Sequence, residues 1–280
     1  MPLIDLILNL AGLLLWLNCR SLSFDPLAKT LPITLVGTLR RAEPPRVRGW
    51  HLLMALIGLL LGRALLYWQI GPAVNWTPKL PLGAIAISFR SDYLSRMLLF
   101  SALSFAVTLA VFYLCLLLLS MLNGRSREGD PFQRLMRLHL GRIDNWPWPA
   151  KLLLPLVLAA LLWLLFSPVL THWKIIPSAL SARHRIEQAV VIGFGAYLPW
   201  RYVIGALLAL CLISSYVYLG NHWFWNFIGS TGRNLLVPLR WLPLRLGKID
   251  FAPIVGIALV FIAGEFAEHG LTRLYERLPL

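Results

Sequence analysis

The chain has 280 residues, 58% of them hydrophobic and 14% charged, with a formal net charge of +14. Soluble domains carry about 25% charged residues, so this composition argues against a soluble enzyme and for a chain built to sit in a bilayer. In so apolar a chain the basic surplus reads as anchoring against anionic lipid, and no nucleic-acid partner is expected.

A spanning helix needs about 20 apolar residues to cross a hydrocarbon layer of about 30 Å. In chain order, the apolar runs predict six crossings: Pro2 to Leu17, Trp50 to Ile70, Leu98 to Leu122, Leu152 to Thr171, Tyr202 to Leu219, and Phe251 to about Leu271. The expected fold is therefore an all-α, polytopic membrane protein. The N-terminal run has no preceding Lys or Arg and carries Asp5, so it reads as a retained helix and not as a signal peptide. Cys19, Cys115 and Cys211 have no C-x-x-C spacing, and imply neither a disulfide framework nor a metal knuckle.

The weaker crossings carry ionisable groups. Arg63 interrupts the second, while Glu265, Glu268 and His269 crowd the last part of the sixth. Each costs about 2.5 to 3.5 kcal/mol in hydrocarbon on insertion scales, so it must pair or snorkel. At an offset of 200 residues Glu265 falls on position 65, so two readings stand side by side: a buried ion pair between Arg63 and Glu265, or two groups that each snorkel to the outer surface.

Lys and Arg concentrate in the odd loops. The first holds Arg20, Lys29, Arg40, Arg41, Arg46 and Arg48, the third Arg125, Arg127, Arg134, Arg137, Arg142 and Lys151, the fifth Arg233, Arg240, Arg245 and Lys248. Under the positive-inside rule these loops face the cytoplasm and both termini face out, across a cytoplasmic membrane.

The sequence also repeats. LGRID at Leu140 to Asp144 returns as LGKID at Leu246 to Asp250, and DPL at Asp25 is echoed by DPF at Asp130. Three helix-loop-helix repeats follow, 1–72, 98–172 and 198–272. The segments between them, 73–97 and 173–197, share an apolar stretch, then Phe, then Tyr-Leu, and read as interfacial short helices or re-entrant segments. The first of the two also has an alternation that a strand could use.

PLRWLPLRLGKIDFAPIV, Pro238 to Val255, resembles the signature loop of the YggT family, Pro-x-Arg-Arg-x-x-Pro-x-x-Gly-Gly-x-Asp-Phe-Ser-Pro. Pro238, Arg240, Gly247, Asp250, Phe251 and Pro253 occupy matching places, whereas Trp241, Lys248 and Ala252 depart from the pattern and Pro243 is one position early. The second repeat keeps Gly141, Asp144 and Pro147. The first keeps Trp16, Asp25-Pro26, Arg40-Arg41 and Pro44-Pro45 but lacks the Gly-x-x-Asp. The resemblance implies a divergent, three-repeat integral membrane protein of the cytoplasmic membrane, from a family linked in bacteria to cell division and osmotic tolerance.

Read without the family, Pro238 and Pro243 break any helix between them. The alternating Leu and basic residues suit the headgroup layer. Asp144 and Asp250 are placed to cap the helices that follow them, and Pro253 fits a first helical turn. Arg240, Arg245 and Lys248 read either as membrane anchors or as a docking face for an unknown membrane or cytoplasmic protein. EFAEH at Glu265 to His269 lacks the first His of a zinc-binding helix, so no metal is expected, nor any other cofactor. His51, His139, His172, His184 and His222 read as interfacial.

The sequence exposes no nucleophile with a matching base, so no enzymatic activity is expected. A non-enzymatic assembly or scaffold protein is the main expectation. The alternative is a small channel or carrier for an osmolyte or ion, with Arg63, Glu265 and Glu268 along its path.

Overall fold

A computed structural model describes residues 2–23, 49–123, 131–177, 181–216, 222–239, 241, 244–246 and 249–278. The protein is an all-α, multi-pass membrane protein. Its long helices are α1 (Pro2–Ser23), α2 (Gly49–Ala73), α3 (Leu94–Leu122) and α5 (Trp148–His172). They are joined by α6 (Ala182–Gly195) with α7 (Trp200–Tyr216), and by α9 (Ala252–Arg277). Two shorter helices, α4 (Pro131–Leu140) and α8 (Trp223–Leu235), precede α5 and α9. Among the described residues, six segments are long and apolar enough to cross a membrane, and the fifth runs from Ala182 to Tyr216.

The fifth crossing therefore begins earlier than its apolar run suggests, because the expected interfacial segment joins it as α6. Pro199 explains the break between α6 and α7: its ring removes a backbone donor and clashes with the turn before it. The chain continues through i to i−3 bonds, Leu198 N to Gly195 O at 3.1 Å and Trp200 N to Tyr197 O at 3.0 Å. Pro155 and Pro168 lie inside α5 without ending it. Such prolines are tolerated in membrane helices because neighbouring groups re-satisfy the freed carbonyls.

The other segment read as a short helix is a β-hairpin. β1 (Lys79–Leu82) pairs antiparallel with β2 (Ile85–Ser88), Leu82 opposite Ile85. Alternation of Ile85 and Ile87 with small residues prevails here, as β-branched side chains suit a pleat. The two-residue turn starts at Gly83, whose φ of +65° is the left-handed value this kind of turn requires. A Cβ on Gly83 would also come within 2.5 Å of the Gly195 carbonyl oxygen.

The chain divides into two compact units. One comprises Met1–Pro78 with Phe89–Ala110, the other Lys79–Ser88 with Val111–Leu280. In the first, α1 packs on α2, and an aromatic cluster of Tyr67, Trp76, Phe89 and Phe100 fills the end of the bundle. In the second, α6 packs on α5, and α7 on α8 and α9. Its core joins Leu116 and Leu117 of α3 with Met136 and Leu140 of α4, Leu207 of α7, and Phe227 and Ile228 of α8. Many apolar side chains remain outside both cores. Leu3, Leu6 and Ile7 on α1 and Leu161 and Leu165 on α5 are exposed, as expected where lipid takes the place of core.

Candidate functional site

Polar side chains inside the spans gather into separate clusters. The first surrounds Arg63, whose side chain is 0% exposed. Its Nη2 donates to Asp5 Oδ1 and, at 2.8 Å, to Ser104 Oγ, while Nη1 donates to Asn9 Oδ1 at 2.7 Å. Asn9 Nδ2 donates to Ser104 Oγ at 3.0 Å, and the Tyr67 hydroxyl donates to Asp5 Oδ1 at 3.1 Å. The guanidinium carbon lies 5.5 Å from the Tyr67 ring centre and 5.4 Å from that of Phe100. Three helices thus converge on one charge.

The local sequence makes this arrangement possible. Asp5 and Asn9 are four apart on α1, and Arg63 and Tyr67 are four apart on α2, so each pair shares a helix face. On α3, Ser101 and Ser104 follow at a spacing of three, and Ser101 Oγ donates to the Leu60 carbonyl of α2 at 2.9 Å. Arg63 therefore finds its carboxylate on α1. The pair expected between Arg63 and Glu265 is replaced by two pairs, since Glu265 lies 3.6 Å from Arg201 Nη1. Each of the two residues has an opposite charge on a neighbouring helix of its own unit, Asp5 for Arg63 and Arg201 for Glu265.

A second cluster holds Asp144. This residue sits in a 3-10 turn, Gly141–Asn145, that opens with Gly141 at φ +55°. The α5 N-cap is Pro147, which offers no side-chain cap, so Asp144 does not cap that helix. It accepts from Ser120 Oγ and faces Lys151 Nζ and the more exposed Arg137 Nε, each at 3.9 Å. Lys151 Nζ in turn donates to Ser120 Oγ at 2.8 Å. Lys151, counted above with a basic loop, is buried in the first turn of α5.

Ser120 passes a hydrogen bond from the ammonium to the carboxylate, and its hydroxyl is buried. The arrangement is a relayed ion pair that joins α3 to the start of α5.

The third cluster lies on α7 and α9. Arg201 Nη2 donates to Glu268 Oε2 at 2.6 Å and to the Tyr202 hydroxyl at 2.7 Å. His269 Nδ1 lies 3.6 Å from Glu265. Elsewhere Asn123 Nδ2 donates to Thr231 Oγ1 at 2.9 Å and ties the end of α3 to α8. Among the described residues, no group of three His, Cys, Asp or Glu is placed to hold a metal ion.

The family-like loop follows α8. Pro238 is exposed in a 3-10 turn, Val237–Leu239, and Trp241 is 81% exposed. β3 (Arg245–Leu246) and β4 (Ile249–Asp250) then form a small antiparallel ladder with Arg245 opposite Asp250. Asp250 is one residue short of the α9 N-cap, which is Phe251, so the capping position expected for it belongs to its neighbour. Pro253 is buried in the first turn of α9, as its fixed φ favours. Arg240, Pro243, Gly247 and Lys248 lie outside the described residues, as do Asp25, Pro26, Arg40, Arg41, Pro44, Pro45 and Asp130.

Asn9, Ser104, Ser120, Tyr67 and Thr231 escaped the sequence reading. The available signal was polar residues three or four apart within apolar runs, which places them on one face of a helix. No family model, no curated protein and no solved structure matches this chain.

Proposed function

We propose that the protein is a non-enzymatic assembly or scaffold factor of the cytoplasmic membrane, of the YggT type, that presents the loop between α8 and α9 to a protein partner. The observation that carries this reading is Trp241, 81% exposed beside the exposed Val237 and Pro238. Exposed Trp next to Arg is the composition of a binding hot spot, and the sequence supplies Arg240, Arg245 and Lys248 on the same stretch. Within it, β3 pairs with β4, Arg245 opposite Asp250 and Leu246 opposite Ile249. The polar clusters support the same reading, because they brace helices within a unit: Arg63, Asn9 and Ser104 bond to one another, as do Lys151, Ser120 and Asp144.

Crosslinking and co-purification from native membranes test it. The wild-type chain captures a partner that Trp241→Ala and Arg240→Lys variants lose, since a planar bidentate contact does not survive replacement by a point charge. Identical partner sets for all three chains would overturn the proposal. Solute flux through proteoliposomes that Glu265→Gln abolishes would replace it with a carrier for an osmolyte or ion.

A further inference from the structure

Among the described residues, α9 is the least enclosed of the six crossings. Ala258, Ile262, Glu265 and His269 are exposed and spaced four, three and four residues apart, so they form one stripe along the helix. An apolar outer stripe asks only for lipid, but this one carries a carboxylate at mid-helix. Glu265 is 13 residues from Ala252 and 12 from Arg277, so the nearer end is about 18 Å away. A helix of 26 residues overshoots a hydrocarbon layer of about 30 Å by roughly 9 Å. Even with all of that excess at its C-terminal end, Glu265 stays about 9 Å inside the layer. Its side chain leans toward the helix N-terminus, away from the nearer surface, so snorkelling does not bring it to water.

The neighbours of Glu265 leave its charge in excess. Its carboxylate is 3.6 Å from Arg201 Nη1 and 64% exposed. Arg201 is held more closely by Glu268, which accepts from Nη2 at 2.6 Å, and Nη2 also donates to the Tyr202 hydroxyl. Two carboxylates thus share one guanidinium. His269 does not correct this: Nδ1 donates to the Glu265 backbone carbonyl at 2.9 Å, which leaves Nε2 of the neutral ring as an acceptor. Arg273 lies two turns beyond Glu265, toward the helix end. The stripe therefore offers acceptors and an unbalanced negative charge within the hydrocarbon.

We infer that this stripe docks a transmembrane helix of another protein, one that carries a lysine or arginine near its midpoint. Such a cation supplies donors only, and so matches a carboxylate and an imidazole acceptor. It is also costly in lipid by itself, as Glu265 is, so association relieves both chains at once. Ala258 lets the two backbones approach closely. A second copy of this chain fits poorly. A two-fold axis along the membrane normal sets equal residues at equal depth, which brings Glu265 against Glu265 and His269 against His269. The stripe is separate from the loop between α8 and α9, so this contact does not depend on that loop binding anything.

The full chain is reconstituted in phosphatidylcholine vesicles with a synthetic helix of about 24 leucine and alanine residues, long enough to span. Association is read as energy transfer from the chain's tryptophans to a dansyl group on the peptide. A peptide with one central lysine binds about tenfold more tightly than one with a central leucine, a difference that corresponds to about 1.4 kcal/mol. A central glutamate, or a lysine moved to the end of the peptide, gives no such gain. Glu265→Gln, at an exposed position, removes the gain. The comparison of peptides on the wild-type chain decides the matter even if that variant fails to fold. Equal binding of the four peptides, a gain for the end lysine, an unchanged gain in folded Glu265→Gln, or Glu265-dependent pairing of the chain with itself in place of the peptide would each overturn the inference.

Discussion

Arg63 and Asp5, 58 residues apart in sequence, form an ion pair between α2 and α1 in which the guanidinium is wholly buried. Removing one partner of such a pair leaves an uncompensated charge, which costs about 3 to 5 kcal/mol, more than the pair itself contributes. Asp5→Ala is therefore expected to be strongly destabilising, by about that amount, in thermal or denaturant unfolding in detergent. The double variant Asp5→Ala, Arg63→Met recovers most of the loss because the charge goes with its partner. If the double variant is no more stable than Asp5→Ala alone, the pair is not the source of the effect.

Glu265→Gln gives the opposite result. Its carboxylate is largely exposed and 3.6 Å from Arg201, which keeps Glu268 as a closer partner. Exposed ion pairs contribute about 0 to 1 kcal/mol. Unfolding measured beside Asp5→Ala should separate the two variants clearly, and a loss of comparable size in Glu265→Gln would contradict the pairing described here.

Ser120→Ala interrupts the relay between Lys151 and Asp144. The buried ammonium then loses its acceptor at 2.8 Å and retains only a carboxylate at 3.9 Å. An unmet buried donor costs about 1 to 3 kcal/mol. The measurement is equilibrium unfolding, and Ser120→Thr, which keeps the hydroxyl, serves as the comparison. Equal stability of the Ala variant and the wild type would show that the relay contributes nothing.

Two glycines with positive φ offer a graded test. Gly141 has open space around the site of a Cβ, so Gly141→Ala meets only the left-handed backbone, a cost of roughly 1 to 2 kcal/mol. Gly83 has the same backbone and in addition faces the Gly195 carbonyl oxygen at 2.5 Å. Gly83→Ala should be the more damaging of the two in thermal unfolding, and Gly141→Asn should be milder than Gly141→Val. Reversal of either order would count against the turn geometry.

The crossings were legible because hydrocarbon imposes one requirement, length of apolar run, that a sequence displays directly. Leu98 to Leu122 coincides with most of α3, and Leu152 to Thr171 lies within α5. Side-chain partners were harder to read. Arg63 announced that it needed a carboxylate, but Asp5 and Glu265 were both available, and only the packing of α1 on α2 selects between them. The hairpin at Gly83 was ambiguous because a short apolar stretch suits a helix or a strand, and its turn glycine and β-branched residues decided the matter. Asp144 illustrates another source of error: a carboxylate just before a helix suggests a cap, yet a buried lysine one turn into that helix exerts the stronger demand. α4 and α8 lack the length of a crossing and were submerged in what read as basic loops.

The Arg63 cluster also bears on the order in which the chain enters the membrane. During synthesis α1 precedes α2, so Asp5 and Asn9 are already in place when Arg63 arrives. Ser104 on α3 comes last and completes the set. An isolated α2 would carry a full charge into lipid, whereas an α2 that follows α1 meets a waiting counter-ion. The first helix thereby acts as an internal chaperone for the second, and displacing it in the gene should impair insertion of α2 even though every apolar residue of that span is unchanged.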